Sequence, residues 1–155
     1  RISRLVVQKL FGTVTGKKLA ILGFAFKANT NDTRESPAIR ICSDLLEEGA
    51  QLAIHDPKVD PSQIARDLKL KAQPISDALD STGGWTSALS IEKAVSGADA
   101  VLILTGWDTY RDLNWRALAE GMRRPAWVFD ARAVADPHSV QASGLELWRV
   151  GEGEG

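Results

Sequence analysis

A second cysteine is missing from this sequence. Cys42 stands alone, which excludes an intrachain disulfide, and with only two histidines in the chain a structural zinc site has too few ligands. Charge of one sign is not in excess either: 19 Lys and Arg face 20 Asp and Glu, for a formal net charge of -1. Those basic residues are scattered, so the sequence carries no electrostatic footprint for nucleic acid and no field that would draw it to a membrane surface. No apolar run reaches membrane-spanning length, and nothing at the start reads as a signal peptide. The cytoplasm is the expected setting. The last absence is local. Residues 21–39, "ILGFAFKANTNDTRESPAI", have the layout of a nucleotide-binding strand–turn–helix, but the G-x-G-x-x-G that would hold a dinucleotide is not there.

What is present is ordinary: 155 residues, 44% hydrophobic and 25% charged, enough for one domain with a sizeable core. The chain opens on Arg1 rather than Met, and "RISRLVVQKLFG" reads as the end of an amphipathic helix stopped at Gly12. A piece of a longer protein, entering partway along a helix, is the expectation. "TVTGKK" is a turn, and "KLAILGFAF" is an almost continuous apolar run, as in a buried parallel strand. After the polar loop "KANTNDTRE", Ser36 is an N-cap with Pro37 at the first helical position, and a helix runs to about Glu48. "AQLAIHDP" is a second strand. Residues 58–88 are harder to read: "PSQIARDLKL" suggests a short helix, and "STGGWTS" looks like loop. A helix from Ser90, a buried strand "DAVLILT", a loop and helix over 107–122, a strand "AWVFDAR" and a last strand "GLELWRVG" follow. The tail "GEGEG" is expected to be disordered. Strands alternating with helices predict an α/β fold, a Rossmann-like doubly wound parallel sheet in three α/β/α layers.

Ligands of such sheets bind outside the carboxyl ends of the strands, where the strand order reverses. In a Rossmann-like order the strand ending at Phe26 is central, and the strands ending at Thr105 and Asp130 follow on one side. Neighbouring strands lie ~4.8 Å apart, which puts the first and third ends roughly 10 Å apart. Lys27 and Arg132 then approach one anionic ligand from two sides, Lys as a compact charge and Arg as a planar fork. The residues alone also allow plainer roles. Phe26 fits a core position, and Lys27 fits a solvated strand end. Arg132 fits a pair with Asp130 or Asp136, and Arg34, beside Asp32 and Glu35, fits a loop ion pair. Asp56 sits where a Rossmann acid meets ribose, though Asp56-Pro57 is also a common turn. Trp107 is a core lid or a stacking platform. Cys42 lies on the apolar helix face with no activating partner and reads as a buried structural cysteine. His55 and His138 have no metal or triad spacing.

Taken in order, "ILGFAFKANTNDTRESPAI", "GAQLAIHDPKV", "GADAVLILTGWDTY" and "VFDAR" resemble the C-terminal domain of the nucleotide-sugar dehydrogenases, the UDP-glucose/GDP-mannose dehydrogenase family. The resemblance runs from about Gly16 to Gly151. It implies that residues 1–12 are the end of a central linking helix, that 13–151 form a UDP-sugar-binding domain, and that 152–155 are a disordered tail. It implies an NAD-dependent oxidation of a UDP-sugar at C6, from alcohol to carboxylate. The catalytic cysteine and most of the NAD site would lie in an N-terminal domain that is not in this sequence. Cys42 is outside the family's catalytic motif, so no catalytic residue is expected here. Residue by residue, the resemblance points Phe26, Lys27 and Arg132 at substrate and Arg34 at NAD. "FAFK" and "DTRES" lean toward UDP-glucose. UDP-N-acetylmannosamine, GDP-mannose or a stand-alone nucleotide-binding module are the alternatives. A homodimer or higher assembly is implied for the full-length enzyme, without nucleic acid or membrane partners.

Overall fold

The computed structural model describes residues 1–73 and 83–151. In chain order the elements are α1 (Ile2–Lys9), β1 (Lys18–Leu22), α2 (Pro37–Glu47), β2 (Gln51–His55), α3 (Pro61–Leu68), β3 (Gly84–Ser87) and α4 (Ile91–Val95). Then come β4 (Ala100–Ile103), a 3-10 turn (Asp108–Tyr110), α5 (Trp115–Glu120), β5 (Trp127–Asp130), α6 (Pro137–Ala142) and β6 (Glu146–Arg149). The six strands form one parallel sheet in the order β3-β2-β1-β4-β5-β6, so β1 is central and the order reverses between β1 and β4. That is the doubly wound arrangement expected from the alternation of strands and helices.

The central strands are apolar without interruption because both faces are covered. Leu19, Ala20, Ile21 and Leu22 of β1 and all four residues of β4 are fully buried. Each such Leu or Ile contributes roughly 1.5–3 kcal/mol by leaving water. The helices start where side chains cap them: Ser36 accepts from the Ala38 amide, Asp60 from Ser62, Ser90 from Lys93, Asn114 from Ala117 and Asp136 from His138. α1 buries Val6 against the core and ties to α2 through Ser3 Oγ, which donates to Asp44 at 3.1 Å.

Two expectations shift, and one helix is added. The first strand leaves the ladder at Leu22, not Phe26, because Gly23 takes φ +100° and turns the chain. "STGGWTS" does not stay loop: Gly84–Ser87 form edge strand β3, with Trp85 buried and its indole donating to the Leu70 carbonyl at 2.8 Å. An edge strand this short, opened by glycines and closed by Thr and Ser, leaves no apolar run to read. α6, with six residues, is too short for a helical period, although Asp136-Pro137 is a proper start signal. Residues 74–82 and the tail expected to be disordered, 152–155, lie outside the described residues.

Candidate functional site

The site grows from the carboxyl ends of β1, β4 and β5. Gly23 is required twice over: its φ is positive, and a Cβ there would overlap the Thr105 side chain at the end of β4. The close approach this permits lets the Thr105 hydroxyl, fully buried, donate to the Ala25 carbonyl at 2.8 Å. The neighbouring groups are claimed in the same way. The Ser36 hydroxyl donates to the Phe24 carbonyl at 2.8 Å, the Phe26 amide donates to the Asp32 carbonyl at 2.8 Å, and Arg132 Nη2 donates to the Phe26 carbonyl at 3.0 Å. The amides of Phe24 and Ala25 both donate to Asp56 Oδ2, at 2.7 and 3.0 Å. Every backbone N–H and C=O from Phe24 to Phe26 thus has a partner within the protein.

Asp56 and Trp107 now have defined roles. Asp56 Oδ1 accepts from the amides of Lys58 and Val59, closing the Asp-Pro turn, while Oδ2 also accepts from Trp107 Nε1 at 3.2 Å. Trp107 is only 6% exposed, so it is a lid packed on the core and not a stacking platform. Neither role is encoded locally, because the partners lie far along the chain.

Arg132 is held in place from two sides. Its Nε donates to the Leu104 carbonyl and its Nη2 to the Phe26 carbonyl, both at 3.0 Å, so the guanidinium bridges the ends of β4 and β1. The carboxylates considered as its partners are engaged elsewhere. Asp130, fully buried, accepts the amides of Arg132 and Ala135 and lies 3.6 Å from Arg149 Nε. Asp136 caps α6. Arg132 is itself an exposed residue, and neither of these two bonds uses its Nη1.

Phe26 is 41% exposed and so stands outside the core, and Lys27 is exposed with no ion-pair partner among the described residues. Phe26, Lys27 and Arg132 are brought together by the bond from Arg132 to the Phe26 carbonyl. Arg34 is placed differently. It is 88% exposed and binds Asp32 bidentately, Nε to Oδ1 and Nη2 to Oδ2, each at 3.0 Å. The hydrogen bond from Arg34 pulls the Asp32 carboxyl down to about 2. The loop carrying them is fixed at its back by α3: Thr33 Oγ1 donates to Asp67 at 2.6 Å, and Gln63 Nε2 donates to the Asn31 carbonyl at 2.9 Å. An open polar hollow of about 420 Å³ lies on this loop, lined by Asn29, Thr30, Asn31 and Lys58.

The cysteine and His55 are engaged elsewhere. Cys42 is fully buried on the core face of α2, and burial pushes its thiol far above the ordinary range. His55 is spent on Tyr110, Nδ1 to hydroxyl at 2.9 Å, and partial burial lowers its pKa. Among the described residues no cluster of three or more His, Cys, Asp or Glu is arranged to hold a metal, and no helix is long and apolar enough to cross a membrane. The described groups of the crevice, a guanidinium and an ammonium beside an exposed ring, suit the binding of an anion.

Residues 20–137 match the family model for the UDP-binding domain of the UDP-glucose/GDP-mannose dehydrogenase family. The chain is 40% identical to the UDP-glucose 6-dehydrogenase of Drosophila melanogaster over 98% of its own length and 32% of that relative's. It is 39% identical to UDP-glucose 6-dehydrogenase 5 of Oryza sativa subsp. japonica, again over 32% of the relative. The chain therefore spans about a third of the length of the curated relatives it matches. Among solved structures, it is similar to the NDP-N-acetyl-D-galactosaminuronic acid dehydrogenase of Methanosarcina mazei, with TM-score 0.71 and 21% identity over 96% of this chain and 27% of that one. It is also similar to a UDP-glucose dehydrogenase of Pyrobaculum islandicum, with TM-score 0.66 and 24% identity over 95% and 28% of the two chains. At such identity these two speak for the fold alone.

Proposed function

Since the chain belongs to the UDP-glucose/GDP-mannose dehydrogenase family and matches its UDP-binding domain, we propose that it is the substrate-binding part of a UDP-glucose 6-dehydrogenase. The observation that carries this reading is Arg132, clamped between the Phe26 and Leu104 carbonyls beside an uncommitted Lys27. With the backbone from Phe24 to Phe26 fully engaged, a diphosphate entering the crevice is met by side chains. Arg132 offers a pre-set donor at little further entropic cost, and Lys27 offers a mobile point charge. Phe26 supplies an exposed apolar face beside them.

The chain's contribution is orientation. Holding the UDP end fixes where C6 of glucose sits relative to groups supplied by the rest of the enzyme, which turns an encounter into a positioned reaction. NAD⁺, when bound, accepts the hydride. Arg34 fits that cofactor's phosphates from the loop side, provided it releases or shares Asp32. The full-length enzyme is read as a cytoplasmic dimer or larger assembly, forming UDP-glucuronate for polysaccharide synthesis. Cys42, buried and protonated, takes no part, so the chain by itself is expected to be inactive.

Titration of the chain with UDP tests the reading. Lys27→Ala and Arg132→Ala are each expected to weaken UDP binding about tenfold or more, the value of one charge-assisted contact. Affinity equal to that of the unchanged chain in both variants would contradict it. Competition of UDP-glucose with UDP-N-acetylmannosamine and GDP-mannose in the full-length enzyme separates the sugars.

A further inference from the structure

Asp56 holds the end of β1 in a way that reaches beyond a turn. In a dinucleotide-binding βα turn, backbone amides just past the strand point at the ligand's phosphate. Here the matching amides, Phe24 and Ala25, converge on Asp56 Oδ2 at 2.7 and 3.0 Å, and Trp107 Nε1 adds a third donor at 3.2 Å. Three N–H groups from two strand ends thus surround one carboxylate oxygen. The carboxylate itself is held by the amides of Lys58 and Val59 on its other oxygen, at 2.9 and 3.0 Å. The strand end that could have lent its acid to a ribose has turned it inward instead.

We infer that Asp56 is a built-in anion that fills the donor cradle at the end of β1, and that it is the residue determining which kind of phosphate the crevice accepts. With the cradle full, no external phosphate can use those amides. An incoming diphosphate is displaced toward Lys27 and Arg132, a consequence that rests on the function proposed above. Asp56 is therefore a positioning residue: it fixes the path of Phe24–Ala25, from which Phe26 and Lys27 project, and it excludes a dinucleotide from the turn that most resembles a dinucleotide site.

The experiment empties the cradle. Asp56→Ala in this chain is expected to lower the melting midpoint by about 10 °C, since several partly buried donors lose their acceptor. Formate, which restores the missing oxygen atoms, should recover at least about half of that loss, and chloride at equal ionic strength should not. Inorganic pyrophosphate should bind Asp56→Ala about tenfold more tightly than the unchanged chain. Equal recovery by formate and chloride, or equal pyrophosphate affinity in both proteins, overturns the inference. Should Asp56→Ala fail to fold even with formate, Asp56→Asn keeps the shape and removes the charge. The proton resonances of the Phe24 and Ala25 amides and of Trp107 Nε1 should then shift upfield together, and their staying in place overturns the inference. Pyrophosphate is compared between two proteins that both keep Lys27 and Arg132, and formate is too small to need either, so these outcomes stand apart from the failure or success of the UDP titration.

Discussion

Two arginines that look alike in the sequence sit in opposite situations. Arg132, just past the end of β5, is anchored by the carbonyls of Phe26 and Leu104, residues far from it in the chain. Arg34, in the loop after β1, is 88% exposed and is held only by Asp32 two residues away. The strand-end crevice is organised by bonds between residues distant in the chain, made by the buried or half-buried groups Thr105, Ser36 and Asp56. The loop is organised at its back, through Thr33 and Gln63, while its charged face is left to water. The difference separates two ways of meeting an anion. The crevice has already met the ordering cost before a ligand arrives, whereas the loop arginine must exchange a carboxylate for its ligand. A part that sets the position of a substrate needs the first; a contact across to another domain can use the second.

The strongest way to break the contrast is at its hinge. Gly23→Ala places a methyl against Thr105 in a backbone conformation that suits glycine. A loss of about 3 kcal/mol or more in denaturant unfolding is expected. A variant as stable as the parent would mean that the strand ends do not approach as described. Next comes Thr105→Val, which keeps the volume and deletes the donor to the buried Ala25 carbonyl. Unfolding should register a loss of about 1–3 kcal/mol. Arg132→Lys should then fail to restore UDP affinity lost in Arg132→Ala, because an ammonium cannot bridge two carbonyls and still present a planar fork. Full recovery by lysine would make the anchoring irrelevant.

Arg34 is expected to give the smallest stability change. Arg34→Ala should alter unfolding by less than about 0.5 kcal/mol, as for an exposed pair. UDP binding should stay the same, while the KM for NAD⁺ rises in the full-length enzyme. A variant that loses UDP binding would erase the distinction between the two regions. The Asp32 carboxyl is depressed in the folded chain to about 2, from 3.8. Its stabilising effect is therefore present above the unfolded value and fades as pH falls from about 4 through 2. The carboxyl carbon shift of Asp32 followed by NMR should titrate in that window, and in Arg34→Ala it should return toward the ordinary carboxylate range.

The legible and illegible parts of this chain divide along similar lines. Strands β1, β4 and β5 announce themselves as apolar runs because parallel strands are covered on both faces, and Ser36-Pro37 announces α2 because capping is local. Phe26, Lys27, Arg132 and Arg34 enter as site candidates through the resemblance to the family, since the residues alone leave each a plainer role. Edge strand β3, with two glycines before Trp85 and polar residues after it, carries no such run. The organising groups were hidden for a different reason. Asp56 meets Ala25 across 31 positions and Trp107 across 51, and Arg132 meets Phe26 across 106. No local pattern encodes a partner at that distance. The acid after β2 was visible; that it points inward at a neighbouring turn was not.

The central claim is that side chains, and not the backbone of the β1 turn, read the diphosphate. The most direct test compares the affinities of UDP and uridine for this chain and for the Lys27→Ala/Arg132→Ala double variant, by calorimetric titration. The account predicts that the unchanged chain prefers UDP by about a hundredfold and that the double variant loses nearly all of that preference. A preference for UDP that survives intact in the double variant would contradict it, because the diphosphate would then be held by something other than Lys27 and Arg132.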